Sequence, residues 1–207
     1  MEDLQAERGT LAETAVLYLL MFGYAVSTTI IGTVLTLLID EFGMPLAEGG
    51  ICMSVQNIGC FFGILLSGVL LDRFDKRRVI VCAFAVFTFF TLTVVPSRGV
   101  NTYLLLIFLG GVAFKFLDAA LNTRVSTIHH ARKGFYISLL HCCFGIGSFS
   151  GPMLAGWLLE RGHAWRTAYL VLGVVYLGLL AAYVVIVRTG LFSSGAKAEK
   201  PPAALPL

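Results

Sequence analysis

Gly68-Val69-Leu70-Leu71-Asp72-Arg73-Phe74-Asp75-Lys76-Arg77-Arg78 separates two long apolar runs of this chain. Charged side chains are costly in the hydrocarbon core of a bilayer, whereas the apolar residues on either side of this stretch suit it. A helix that spans a bilayer needs about 20 mostly apolar residues. The pattern therefore predicts a charged loop at a membrane edge, between two transmembrane helices.

The composition of the whole chain agrees with this prediction. Hydrophobic residues make up 57% of the 207 residues and charged residues 13%, with a mean hydropathy of +0.86. A soluble domain carries about 25% charged residues, so lipid must cover much of this apolar surface. Six apolar stretches are long enough to span a bilayer and predict an all-α membrane protein with six transmembrane helices: residues 11–39, 46–71, 79–95, 102–123, 135–159 and 167–187.

Lysine and arginine are unevenly distributed between the loops. Eleven of the 15 lie in the two termini and in the second and fourth loops, and three lie in the other loops. The positive-inside rule therefore places residues 1–10 and the proline- and lysine-containing tail 188–207 in the cytoplasm, with the bundle 11–187 in the cell membrane. The first apolar run is too long for a signal peptide, so we expect it to be retained as a helix. The net charge reflects topology and gives no indication of nucleic-acid binding.

The chain also repeats itself at an offset of 88 residues. Three helices separate the two copies, so the second copy must cross the membrane in the opposite direction. The prediction is a pair of inverted three-helix repeats, at about residues 11–98 and 99–187. The offset places Gly59, Gly63, Gly68, Asp72, Arg73 and Arg78 over Gly147, Gly151, Gly156, Glu160, Arg161 and Arg166.

The charged loop resembles the cytoplasmic signature G-x-L-x-D-R-x-G-R-R of the major facilitator superfamily of transporters, and the chain resembles the N-terminal six-helix half. Asp75 stands where that family usually has glycine. The resemblance implies that Gly68, Asp72, Arg73 and Arg77 form a conformational latch, which holds one state and opens during transport. The alternative is a basic loop that only fixes topology.

Two further motifs lie in the fourth and fifth helices: Leu117-Asp118-Ala119-Ala120-Leu121-Asn122, and Leu140-His141-Cys142-Cys143-Phe144-Gly145-Ile146-Gly147 followed by Gly151-Pro152. They resemble segments of the fucose-permease-like sugar and proton symporters. That resemblance implies alternating-access transport of a small, sugar-like solute, with proton coupling as an option. The group also has an acid in its first helix, where this chain offers Tyr24, Ser27, Thr28, Thr29 and Thr33.

Lys115, Asp118 and Asn122 follow helical spacing and are predicted to share one face of the fourth helix. Charges inside a spanning helix need a protein or water-filled environment, which makes Asp118 a candidate proton or cation site. His141 is its candidate partner, and Lys115 is a candidate counter-ion or anchor for an anionic substrate. The alternative is a permanent Lys115 to Asp118 pair that serves folding alone.

Gln56 and Asn57 in the second helix are candidate ligands for a sugar-like solute, or they tie helices together. A complete transporter of this kind has two six-helix halves, so we expect a partner half, either a second copy of this chain or a separate chain.

The alternative function is a truncated product or partner membrane subunit without transport activity. An intramembrane hydrolase is a third reading, but Gly147-Ser148-Phe149-Ser150-Gly151 does not fit the serine-hydrolase motif. We therefore expect no enzyme activity, no metal and no cofactor.

Overall fold

The computed structural model describes residues 2–188. These residues form six α-helices, with one 3-10 turn, His130–Arg132, between the fourth and the fifth. The predicted tail therefore lies outside the described residues, apart from Arg188. The helices are α1 (Glu2–Phe42), α2 (Leu46–Arg73), α3 (Lys76–Thr93), α4 (Val100–Ile128), α5 (Lys133–Glu160) and α6 (Trp165–Arg188).

Each of the six predicted spans falls on one of these helices. Five helices, α1, α2, α4, α5 and α6, are long and apolar enough to cross a bilayer. The prediction of an all-α, multi-pass membrane protein is therefore confirmed. The third helix differs because its 18 residues begin with Lys76, Arg77 and Arg78, which leaves a short apolar segment. Its crossing of the membrane stays a prediction.

The turns between helices follow from a few local residues. The Asp75 carboxylate accepts a hydrogen bond from the Arg78 backbone N–H at 3.1 Å, which caps the N-terminus of α3. At the opposite end of the bundle, α1 and α5 each end at a glycine with positive φ, Gly43 at 61° and Gly162 at 80°. Glycine adopts this conformation without steric cost, so the chain can reverse direction sharply after each of these two helices.

Glycines bring the main helix pairs into backbone contact. Packing is most extensive between α2 and α4 and between α1 and α5. Gly59 and Gly63 of α2 lie against the carbonyl oxygens of Phe108 and Val112 in α4, and a Cβ at either glycine would overlap those atoms. In α5, Gly147 and Gly151 lie in the same way against the carbonyls of Phe22 and Val26 in α1. Small residues of this kind allow helices in a membrane to approach closely.

The inner face of α1 packs aromatic and polar side chains against α4 and α6. Tyr24 is fully buried and its ring lies 4.1 Å, centroid to centroid, from that of Phe114 in α4. One turn further along α1, the Ser27 hydroxyl lies 2.6 Å from that of Tyr176 in α6. Tyr176 also donates to the Gly23 carbonyl. These contacts fix α1 between α4 and α6.

Candidate functional site

The polar side chains of α4 form one cluster, as their spacing predicts. The Lys115 ammonium lies 3.0 Å from Asp118 Oδ2. Asn122 Nδ2 donates both to Asp118 Oδ1, at 3.0 Å, and to the Asp118 backbone carbonyl, at 2.9 Å. Asp118 is thus the shared acceptor, held by a cation one turn before it and an amide one turn after it.

This cluster reaches the surface of the bundle. The Lys115 side chain is 33% exposed and that of Asp118 20%. Gly63 of α2 makes room for the Lys115 stem, since a Cβ there would come within 3.1 Å of Lys115 Cβ. Partly exposed charges on a spanning helix are costly against lipid, so water or another protein surface must cover this face.

Gln56 is separate from the α4 cluster. Its half-buried side chain lines a small, half-open cavity beside Ser27 and Thr28 of α1 and Thr91 of α3. The cavity has room of about 40 Å³ for water. It can hold a few water molecules, whereas a site for a small organic ligand has about 300 Å³ or more.

Two other predicted residues are not brought to Asp118. Asn57 and His141 are both exposed. Within residues 2–188, none of the side-chain hydrogen bonds joins His141 to Asp118 or Asn57 to Gln56. The arrangement of the described residues therefore gives His141 no visible role at the cluster.

The predicted latch residues divide into two groups. Gly68, Asp72 and Arg73 are exposed, and no described ion pair includes Asp72 or Arg73. Arg77, in contrast, donates from Nη2 to Glu13 Oε2 at 2.8 Å and from Nε to Glu13 Oε1 at 3.2 Å. The basic loop is therefore tied to the start of α1 through Arg77, while its other members face outward.

Glu13 forms a second charge cluster that the sequence analysis did not identify. Its side chain is 3% exposed and also accepts two hydrogen bonds from Arg124 of α4, at 2.7 Å from Nε and 3.0 Å from Nη2. One carboxylate thus joins α1, α3 and α4. The available signal was an acid at the start of one apolar run and arginines at the same predicted membrane edge, but their pairing depends on tertiary structure.

A polar contact extends this junction to the turn before α5. Thr14 Oγ1 lies 2.6 Å from His129 Nε2, and the His129 ring stacks on Tyr136 with centroids 3.4 Å apart. Tyr18 donates to the Tyr136 carbonyl at 2.9 Å. Burial lowers the pKa of His129, so its imidazole is neutral near pH 7.

The opposite end of the bundle has its own ion pair. Arg166 Nη1 lies 2.6 Å from Glu41 Oε1, and Trp165 Nε1 donates to Glu41 Oε2 at 2.6 Å. Arg166 also donates to the carbonyls of Val95, at 3.1 Å, and Ser97, at 2.6 Å. These contacts tie the α3–α4 loop to the end of α1 and the start of α6. Ionic junctions therefore hold both ends of the bundle, and the α4 cluster lies between them.

Comparisons with known proteins give a consistent picture. The profile of the family described as Major Facilitator Superfamily matches residues 17–206. The 4-hydroxybenzoate transporter PcaK of Pseudomonas putida is 30% identical over 171 residues, which cover 82% of this chain and 38% of that protein. The gallate transporter of Pseudomonas putida is 26% identical over 73% of this chain and 34% of its own length. The 3-(3-hydroxy-phenyl)propionate transporter of Escherichia coli strain K12 is 27% identical over 79% of this chain and 40% of its own length. The chain thus spans less than half the length of these relatives.

Proposed function

This chain belongs to the major facilitator superfamily, and from that premise we propose that it forms one half of a transporter that moves a small aromatic acid across the cell membrane by alternating access. Both termini are cytoplasmic in this proposal, and α3 is the third of six spans. The observation that carries it is the partly exposed Lys115–Asp118–Asn122 cluster within a spanning helix. Partly exposed charges on a spanning helix need water or a protein surface beside them, and a substrate pathway between two halves would supply both.

The open face of this cluster supports a second half. The half-open cavity beside Gln56 is too small for an aromatic acid, so we place the substrate against the surface on which Lys115 is exposed. Large apolar side chains are also exposed on α2 and α5, among them Phe61 at 60% and Phe149 at 73%. A copy of this chain or a separate six-helix chain would cover that surface and enclose the substrate.

The packing of the glycine pairs supports the inverted repeat. The 88-residue offset converts Gly59 and Gly63 of α2 into Gly147 and Gly151 of α5. The same offset relates α1 to α4. The glycine pair of α2 lies against carbonyls of α4, and the glycine pair of α5 lies against carbonyls of α1. Equivalent glycines therefore serve equivalent helix contacts in the two proposed repeats, which is the arrangement expected of inverted-topology halves.

The substrate class follows from the relatives and from the charge of Lys115. The three relatives described above are named as transporters of 4-hydroxybenzoate, gallate and a hydroxyphenylpropionate. The sugar-like solute expected from the sequence finds no support in these names, and we replace it with an aromatic carboxylate. Lys115 supplies the cation for that carboxylate, and Asp118 is the group that could take up a proton when its pairing changes.

Uptake of radiolabelled 4-hydroxybenzoate tests the proposal in cells that express this chain with a completing half. We expect saturable uptake that benzoate competes and glucose does not. Lys115→Ala should abolish this uptake and Lys115→Arg should retain part of it, while Lys133→Ala, at an exposed position at the start of α5, serves as the control. Normal uptake by a folded Lys115→Ala protein would overturn the site. Absence of uptake with either kind of second half would favour the non-transporting subunit.

A further inference from the structure

Tyr24 is a buried polar residue that none of the contacts above explains. Its side chain is 0% exposed, and its ring is enclosed by Phe114 of α4 at 4.1 Å, Phe144 of α5 at 5.7 Å and Phe87 of α3 at 6.2 Å. Among the described residues, its hydroxyl has no hydrogen-bond partner. Buried hydroxyl groups are usually paired, so an unpaired one calls for an explanation.

Tyr24 lies against the α4 cluster. Phe114, on which its ring stacks, directly precedes Lys115, and the Lys115 ammonium is 5.5 Å from the centroid of the same Phe114 ring. Asp118 lies one helical turn after Phe114, on the same face of α4. The ring that carries the unpaired donor therefore packs against the turn of α4 that leads to the shared acceptor, Asp118.

An anionic substrate would change the pairing of Asp118. To bind Lys115, its carboxylate must compete with Asp118 for the ammonium group, which leaves Asp118 with Asn122 as its remaining side-chain donor. A carboxylate has about four acceptor positions and is costly to leave under-bonded in a partly buried site. A tyrosine hydroxyl can donate one hydrogen bond, and the Tyr24 hydroxyl is not engaged elsewhere within residues 2–188.

We propose that Tyr24 is a positioning residue that donates to Asp118 when Lys115 is released to an anionic substrate. This inference rests on the proposed function. The exchange replaces a contact within α4 by a contact between α4 and α1. Substrate binding thereby strengthens the junction between these two helices at the site itself.

A ligand-free mutant cycle tests the donor exchange in the purified full-length chain, with the melting temperature in detergent as the readout. Tyr24→Phe keeps the stacked ring and should leave the melting temperature unchanged or slightly higher, since it removes an unpaired buried hydroxyl. Lys115→Ala should lower it. The double variant Tyr24→Phe/Lys115→Ala should lose more than the sum of the two single changes, because Asp118 then lacks both donors. The excess should vanish when Asp118→Leu is added, because leucine has no acceptor for the Tyr24 hydroxyl.

Tyr103→Phe is the matched control, because Tyr103 is another fully buried tyrosine but lies 15 residues before Asp118 on α4, about 22 Å along the helix. It should combine additively with Lys115→Ala. Additive behaviour of Tyr24→Phe with Lys115→Ala, like that of the control, would overturn the proposal. A simple packing role for Tyr24 would instead give an effect that persists in the Asp118→Leu background, and that result would also overturn the proposal.

A ligand experiment separates this inference from the proposed function. We expect 4-hydroxybenzoate to raise the melting temperature of the transporter with its completing half, and Tyr24→Phe to weaken that binding about tenfold, as expected for loss of one hydrogen bond to a charged group. Equal binding by both proteins would overturn the exchange. If 4-hydroxybenzoate has no effect on the parent protein but the mutant cycle shows coupling, the substrate class is wrong and the link between Tyr24 and Asp118 stands.

Discussion

Arg124 donates from Nε and Nη2 to the two carboxylate oxygens of Glu13, at 2.7 and 3.0 Å. The two residues are 111 positions apart, and their pairing joins the start of α1 to the last turns of α4. Arg77 of the basic loop approaches the same carboxylate from α3. This end of the bundle is thus held by a single buried anion, and the loop that resembles the superfamily signature is part of that junction.

Replacing Glu13 should destabilise the bundle. Glu13→Gln leaves Arg124 with a neutral partner in a site where its side chain is 10% exposed, and it weakens the contact between Glu13 and Arg77. Removing one member of a buried ion pair costs about 3 kcal/mol or more. We expect a clearly lower melting temperature in detergent and less folded protein in the membrane. Glu160→Gln, at an exposed position at the end of α5, should change neither. Equal stability of the two variants would show that the cluster contributes little.

Acidification should weaken the junction between Thr14 and His129. Burial lowers the pKa of His129, so the folded state binds a proton less readily than the unfolded chain. The contribution of the neutral imidazole is complete above the unfolded pKa, about 6.5, and is lost as the pH falls through the lower folded value. The melting temperature should therefore fall between about pH 7.5 and about pH 5.5.

The variant His129→Asn tests the assignment of that pH dependence. It should be less stable at neutral pH, because it loses the stacked contact with Tyr136, but its melting temperature should change less on acidification. His163→Asn, at an exposed position, should keep the parent profile. A parent-like decrease in His129→Asn would assign the dependence to another group.

Two glycines of α5 give a matched pair for the packing of α1 on α5. An added Cβ at Gly147 would overlap the Phe22 carbonyl, whereas at Gly145 it would meet open space. Gly147→Ala should destabilise the protein by about 1–3 kcal/mol through overpacking. Gly145→Ala should have no cost and should favour the helix by up to about 1 kcal/mol. Melting temperatures measured side by side decide this, and equal values would contradict the close backbone contact.

Cysteine labelling tests the predicted topology. Arg98 is exposed in the α3–α4 loop, whereas its neighbour Ser97 is buried, so Arg98 is the position to label. With the exposed native residues Cys82 and Cys142 replaced by serine, Arg98→Cys should react with a membrane-impermeant reagent in intact cells. Arg73→Cys should react only after permeabilisation. The reverse pattern would mean that the termini are external.

Helix positions and the α4 cluster could be predicted from the sequence because both depend on local spacing. Apolar runs of about 20 residues mark spans, and intervals of three and four residues place Lys115, Asp118 and Asn122 on one face. The Glu13 cluster could not be predicted in this way. An acid at the start of an apolar run gives the same sequence pattern whether its side chain faces water or pairs with two arginines. The partners of Glu13, Arg77 and Arg124, lie 64 and 111 residues away in the sequence.

The orientation of α5 and the capping of α3 also depend on tertiary structure or local geometry. The motif that contains His141 indicated a helix near Asp118, but glycine contacts rotate α5 so that Gly147 faces α1 and His141 is exposed.

Asp75 replaces the glycine of the superfamily signature, and its side chain caps α3. That role follows from an aspartate directly before a helix and is compatible with a tight two-residue turn.

Accumulation and exchange of 4-hydroxybenzoate, measured in the same cells with a completing half present, test most directly whether the Lys115–Asp118 pair is part of the transport mechanism. We expect Asp118→Asn to fold and to exchange external for internal substrate, but not to accumulate it, because the amide cannot carry a proton. The double variant Lys115→Ala/Asp118→Asn should fold, since no charge is left unpaired, and should neither bind nor accumulate substrate. Full accumulation by a well-folded Asp118→Asn protein would contradict the account and leave the pair a structural one.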